Sequence, residues 1–195
     1  HMSLAVTGRF AQGVPTDRRN LVWQAAELAD WTGQITLEKN LPHGAGIGGG
    51  STDAAAVLNT LGGRAKAATL GADVPVCLRG VPTRMRGIGD QLDLVDVLPQ
   101  IWAVLVWPGV GVATPEIFKH LEKKTNLAMP DVLPRLQNHD QMIAWLQGMR
   151  NDLQAVCAAL VPEVSAALAA LSDCDGVGLA RMSGSGTTCL VGKIL

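Results

Sequence analysis

The chain has 195 residues, 48% of them hydrophobic and 17% charged, and its 16 Lys+Arg against 17 Asp+Glu give a formal net charge of −1. That is enough apolar material for one large domain or two small ones, and it excludes a disordered chain. With no basic excess, a sequence-independent grip on nucleic acid or on an anionic membrane has no electrostatic footprint.

In chain order, Arg19 to Ala29 carries Leu21, Val22, Ala25, Ala26, Leu28 and Ala29 at helical spacing and predicts a first helix. Gln34 to Glu38 predicts a short strand with Ile35 and Leu37 on one face, and Ala54 to Leu61 predicts an alanine-rich helix stopped by Gly62-Gly63. The region Asp90 to Pro99 reads as the seam between two halves, so the expected division is 1–97 and 98–195. The second half opens with an expected buried strand, Ile101 to Val106, and a turn at Pro108-Gly109. Thr114-Pro115-Glu116 reads as a helix start with a hydroxyl N-cap, a proline at the first helical position and an acid in the first turn. Further helices are expected at about Val132–Leu136, Asp140–Gln147, Leu153–Leu160 and Glu163–Leu171. Val177–Met182 and Thr188–Val191 predict two strands joined by Ser183-Gly184-Ser185-Gly186.

Cys77, Cys157, Cys174 and Cys189 form no C-x-x-C pair, so four reduced thiols in a cytoplasmic protein are expected. His1, His43, His120 and His139 are scattered, and no protein metal site is expected from them. The most apolar stretch, Ile101 to Ala113, is broken by Pro108, Gly109 and Gly111 and falls well short of the roughly 20 residues of a membrane span. No signal peptide pattern stands at the start.

The informative segment is Pro42-His43-Gly44-Ala45-Gly46-Ile47-Gly48-Gly49-Gly50-Ser51-Thr52, directly ahead of the alanine-rich helix. Glycine reaches backbone angles closed to other residues and leaves no Cβ to block close approach. Backbone N–H groups can then converge on an anion at a helix N-terminus, with the Ser51 and Thr52 hydroxyls as further donors, so the segment reads as a phosphate cradle. Residues 44–49 match G-x-G-x-x-G, yet Lys39–His43 separate them from the strand, and the acid about 20 residues on, Asp73, closes no strand. The loop also approaches G-x-x-x-x-G-K-[ST], with Gly50 where the lysine belongs. Neither standard cradle fits.

Pro42 to Ala55 resembles instead the central motif of the GHMP kinases, P-x-x-x-G-[LI]-G-[GS]-[GS]-S. Leu70-Gly71-Ala72-Asp73-Val74-Pro75, Pro108-Gly109-Val110 with Thr114 and Phe118, Arg150-Asn151-Asp152-Leu153 and Met182 to Cys189 resemble, in order, the segments of the branch that acts on 4-diphosphocytidyl-methylerythritol. Asn20-Leu21-Val22 with Ala25-Ala26 is similar to its N-L-[IV]-x-x-A-A helix.

The resemblance implies an α+β fold of two domains: an ATP-binding N-terminal domain like domain 2 of ribosomal protein S5, over 1–97, and a ferredoxin-like C-terminal domain, over 98–195. It implies transfer of the ATP γ-phosphoryl group, with Mg²⁺, to the substrate 2-hydroxyl in the non-mevalonate route to isoprenoid precursors. By position, Pro42, His43, Gly44, Ala45, Gly46, Ile47, Gly48, Gly49, Gly50, Ser51 and Thr52 would wrap the ATP phosphates, with Asn20, Leu21 and Lys39 near the adenine end. Asp73 would be the catalytic acid–base group, Phe118 would stack on cytosine, and Ile88 and Thr114 would line the substrate pocket. A monomer or weak dimer with a small-molecule substrate is expected.

Read alone, Asp73 serves equally as a helix cap or turn former, Phe118 as a core residue beside Ile117 and Leu121, and Ser183–Gly186 as a plain hairpin turn. The family's N-terminal segment, with its P-A-K-[IVL]-N-L lysine and a later G-Y-H, has no counterpart here, because the match begins near Ser3–Gly8. Leu61–Thr69 is shorter than the family's equivalent, and the match ends soon after Val191. The alternative functions are a kinase of the same family for another small alcohol, and a nucleotide-binding protein that keeps the scaffold without catalysis.

Overall fold

The computed structural model describes residues 1–193. They form two compact units: the first comprises His1–His43 and Gly48–Val95, and the second comprises Gly44–Ile47 and 96–193.

In the first unit, β1 (Ser3–Thr7) and β2 (Gln34–Glu38) pair in parallel, Ser3 opposite Gln34 and Thr7 opposite Glu38. A parallel pair needs a crossover, and α1 (Leu21–Leu28) supplies it. Asn20 caps α1: its Oδ1 accepts from Val22 N at 2.9 Å while its Nδ2 donates to the Pro15 carbonyl at 2.7 Å. There follow α2 (Gly49–Leu61), a 3₁₀ turn (Arg64–Thr69), α3 (Val74–Arg79) and an antiparallel hairpin of β3 (Thr83–Arg86) and β4 (Gln91–Leu94). The core is Ala25, Ala54, Ala55, Leu58, Ala67 and Val74, bordered by Leu21, Leu28, Val57, Leu70, Cys77 and Leu78. Alanines at the contact face of α1 and α2 bring the two helix backbones close, so the alanine-rich pattern is a packing device as well as a helix signal.

The second unit carries a three-stranded antiparallel sheet in the order β5 (Ala103–Val106), β7 (Cys189–Lys193), β6 (Val177–Met182). Its helices are α4 (Thr114–Lys119), α5 (His139–Gln147), α6 (Gln154–Leu160) and α7 (Pro162–Ser172). Ile117, Cys157, Val164, Met182 and Cys189 form its core. Gln147 Nε2 donates to the Gly178 carbonyl, and Arg181 Nη1 to the Leu146 carbonyl, both at 2.7 Å, fastening α5 to β6. No single helix among the described residues is long and apolar enough to cross a membrane.

Several expectations are corrected. The alanine-rich helix begins at Gly49 rather than Ala54, so Gly49 to Asp53 are helical. No helix covers Val132–Leu136: Pro130 and Pro134 interrupt the segment, and Val132 is 84% exposed with nothing to bury it. The strand expected to be buried at Ile101–Val106 is shorter, and Val104 and Leu105 are about 60% and 57% exposed because α5 and α7 pack on β6 and β7. Thr114 is the first residue of α4, and Ala113 holds the cap position. β1, the 3₁₀ turn, α3 and the β3–β4 hairpin had no clear signal in the hydrophobic pattern.

Candidate active site

The first unit assembles an anion-receptive centre at the start of α2. Gly48 stands at the N-cap with φ +70, a left-handed conformation that costs any residue with a Cβ, and it offers no side chain to cap the helix. The first-turn amides of this 13-residue helix therefore have no side-chain cap, and the positive end of the helix dipole lies among them. A Cβ built on Gly48 would meet nothing within 4 Å, so the space beside this residue is open. An anion such as a nucleotide phosphate fits this donor set.

Lys39 stands behind that turn. Its backbone continues β2, with Lys39 N donating to the Thr7 carbonyl at 2.7 Å and its own carbonyl accepting from Phe10 N at 2.9 Å. Its side chain is 7% exposed, and Nζ lies 2.7 Å from Asp53 Oδ2 and 3.6 Å from where a Cβ on Gly49 would sit. A buried ammonium at the positive end of a helix is doubly unfavourable, and the Asp53 carboxylate one turn into α2 balances it. Leu21 packs 3.8 Å from the Cβ position of Gly50, which brings the start of α1, with Asn20, to the same turn. The Asn20 amide is spent on its two backbone bonds, so this residue shapes the neighbourhood. His43 Nε2 is held at 3.2 Å from the Gln12 carbonyl.

Asp73 is the N-cap residue of α3, yet its side chain makes no capping hydrogen bond and is exposed. The cap-former role left open by the sequence is therefore not the one its carboxylate plays. One turn on, Cys77 N donates to the Asp73 carbonyl at 3.1 Å, and the Thr52 hydroxyl lies 3.5 Å from Cys77 Sγ and 3.1 Å from the Gly48 carbonyl. The first turns of α2 and α3 are thus neighbours. On the other side of Asp73, the turn between β3 and β4 presses on Ala72, whose carbonyl is 2.8 Å from the Cβ position of Gly89. This turn carries Ile88, 84% exposed. The structure brings together Leu21, Lys39, the start of α2, Asp73 and Ile88 through this chain of contacts.

The second unit holds the tip of the glycine segment. Ala45 is buried, its carbonyl accepts from Thr188 N at 3.0 Å, and the Gly46 carbonyl accepts from Ser183 Oγ at 2.9 Å. At φ +73, a Cβ on Gly46 would overlap the Gly186 carbonyl and lie 2.7 Å from that of Ser183, so only glycine fits there. The Thr114 hydroxyl is 2.7 Å from that of Ser185. Phe118 is half exposed on α4 while its neighbour Ile117 is fully buried, so the core reading of Phe118 gives way to an available ring. Among the described residues, no group of three or more His, Cys, Asp or Glu could hold a metal ion.

A helix start built of glycines, with the first turn of α3 and its exposed Asp73 in the neighbourhood, is an anion-receptive centre. The family described as GHMP kinases N terminal domain matches residues 20–81, and GHMP kinases C terminal matches residues 131–191. A protein of Paracoccus denitrificans named 4-diphosphocytidyl-2-C-methyl-D-erythritol kinase is 49% identical over 96% of this chain and 69% of the relative. One of the same name from Jannaschia sp. is 47% identical over 96% and 70%. A crystal structure of 4-(cytidine 5'-diphospho)-2C-methyl-D-erythritol kinase superposes with a TM-score of 0.67 at 32% identity, covering 97% of this chain and 73% of that one. The chain belongs to the 4-diphosphocytidyl-2-C-methyl-D-erythritol kinase family of GHMP kinases, α+β proteins of the expected class.

Proposed function

We propose that the chain transfers the γ-phosphoryl group of ATP to the 2-hydroxyl of 4-diphosphocytidyl-2-C-methyl-D-erythritol, in the non-mevalonate supply of isoprenoid precursors in the bacterial cytoplasm. The observation that carries this reading is the uncapped first turn of α2, backed by Lys39 and joined through Thr52 and Cys77 to the exposed, uncapping carboxylate of Asp73. Phosphoryl transfer asks a protein mainly for position and charge stabilisation, and this arrangement supplies both. The amides of Gly48 to Ser51, with the Ser51 hydroxyl, hold the polyphosphate, and Pro42 to Ile47 wrap it, while the Thr52 amide is already spent on the Gly48 carbonyl. Asn20, Leu21 and Lys39 border the nucleoside end. Asp73 accepts the proton of the 2-hydroxyl as its oxygen forms the new bond to Pγ and the bond from Pγ to the β,γ-bridging oxygen breaks, leaving ADP. Ile88, Thr114 and Phe118 contact the substrate, with the half-exposed ring of Phe118 on the cytosine face. Mg²⁺, which the phosphates would chiefly hold as is usual for that ion, would supply positive charge to offset theirs.

ADP release with this substrate tests the proposal. Asp73→Asn keeps size and polarity and removes the base, so kcat is expected to fall about 10²–10⁴-fold with KM for ATP little changed. An Asp73→Asn enzyme as fast as wild type would remove the proposed base. ATP binding without ADP release would leave a nucleotide-binding scaffold in its place.

A further inference from the structure

Asn151 uses every hydrogen-bonding group it has. Its Nδ2 donates to the carbonyls of Met182 at 3.0 Å and Gly184 at 2.8 Å, and its Oδ1 accepts from Leu153 N at 3.0 Å. Three residues on, Gln154 Oε1 accepts from Met182 N at 2.9 Å, so the entry to α6 grips the shoulder of the β6–β7 hairpin by both its N–H and its C=O. The hairpin closes on itself, with Ser183 N donating to the Thr188 carbonyl at 2.8 Å and Gly186 N to the Ser183 carbonyl at 3.0 Å. It lies directly on α6: a Cβ on Gly186 would come within 2.7 Å of Cys157 Sγ and 2.8 Å of Met182 Sδ. The same hairpin then holds the glycine segment, through Ser183 Oγ to the Gly46 carbonyl and Thr188 N to the Ala45 carbonyl.

From this relay we infer that Asn151 is a positioning residue for phosphate binding: it sets the Ser183–Thr188 hairpin, and the hairpin sets the backbone of Gly44–Ile47. The inference rests on the kinase reading for its consequence in catalysis, but its structural content stands without nucleotide. A side chain that only capped a turn would need Oδ1 alone. The two Nδ2 bonds reach carbonyls 31 and 33 residues away, where they serve the hairpin rather than α6. Asparagine is the residue type that fits, because aspartate would turn an acceptor towards two carbonyl oxygens.

Two variants separate the cap from the relay. Asn151→Asp and Asn151→Ser both keep an oxygen for Leu153 N, and both lose the donors to Met182 and Gly184. The first readout is hydrogen exchange of the ligand-free protein. Peptides covering 44–47 and 183–188 are expected to exchange about tenfold faster in both variants, with α5 and α7 at the wild-type rate, as expected of a local rather than global opening. The second is kinetic: KM for ATP rises about tenfold, kcat changes less, and adding Ser183→Ala gives less than the product of the separate effects. Wild-type exchange at 44–47, or equal acceleration through α5 and α7, would overturn the inference. If exchange quickens as expected while KM for ATP stays at the wild-type value, the positioning role is refuted although the tie exists. If the wild-type protein itself releases no ADP, the kinase reading falls, and the exchange arm still decides whether Asn151 sets the loop.

Discussion

Lys39 and Asp53 show how one residue's charge is managed before any ligand arrives. The ammonium is nearly sealed from water and has a helix's positive end in front of it, so Asp53 is its counterweight. Asp53→Ala should destabilise the protein by about 2–3 kcal/mol, on the low side for unpairing a buried charge because the Asp53 side chain is 27% exposed. Adding Lys39→Met should recover most of that loss, since it removes the orphan charge. Urea unfolding of the three variants checks both statements. ATP should also raise the Tm of Asp53→Ala by more than it raises that of wild type, because the nearby negative charge of the nucleotide offsets the ammonium that Asp53 no longer balances. An equal rise would mean that Lys39 does not face the nucleotide.

At the level of elements, α2 was only half legible in the sequence. Ala54 to Leu61 announce a helix, but Gly49 and Gly50 have the poorest propensity short of proline, and their membership follows from tertiary packing against α1. The catalytic reading needs that missing turn, because the amides it frees are those of glycines. Gly48→Asp should cost the fold only modestly, on the order of 1 kcal/mol, since aspartate is among the few residues that enter the left-handed region and its charge suits a helix N-terminus. It should nevertheless raise KM for ATP about tenfold or more by setting a carboxylate where phosphate is to bind. A stable variant with wild-type KM would place the phosphates elsewhere. β2 and β6 follow their patterns over the expected residues, Gln34–Glu38 and Val177–Met182. The exposure of β5 is not legible in its sequence, because an apolar run reports composition and not which sheet face a helix covers. The role of Asn151 is not legible in the sequence, because its partners are backbone carbonyls more than thirty residues away and a carbonyl leaves no trace in a sequence.

At the scale of the molecule, burial sorts the four thiols. Cys157 and Cys189 are fully buried; burial pushes both up from the ordinary thiol range, and Cys157 beside it pushes Cys189 up further. Cys174 is exposed and Cys77 half-buried. An aromatic disulfide reagent should modify Cys174 quickly, Cys77 more slowly and the other two only on unfolding, since the thiolate is the reacting form. A raised folded-state value means that stability present below the unfolded thiol's value is lost as pH climbs above it, so unfolding should become easier above about pH 9. Titrating the urea midpoint from neutral to alkaline solution checks the sign. The formal net charge of −1 gives the protein no general attraction for a polyanion, and the local donors at the start of α2 must draw it in alone. Peptide N–H groups do not ionise in mildly acidic or mildly alkaline solution. Any drift of nucleotide affinity with acidity across that range, so far as those amides govern it, then reports the terminal phosphate gaining or losing its own proton while the receptor stays constant.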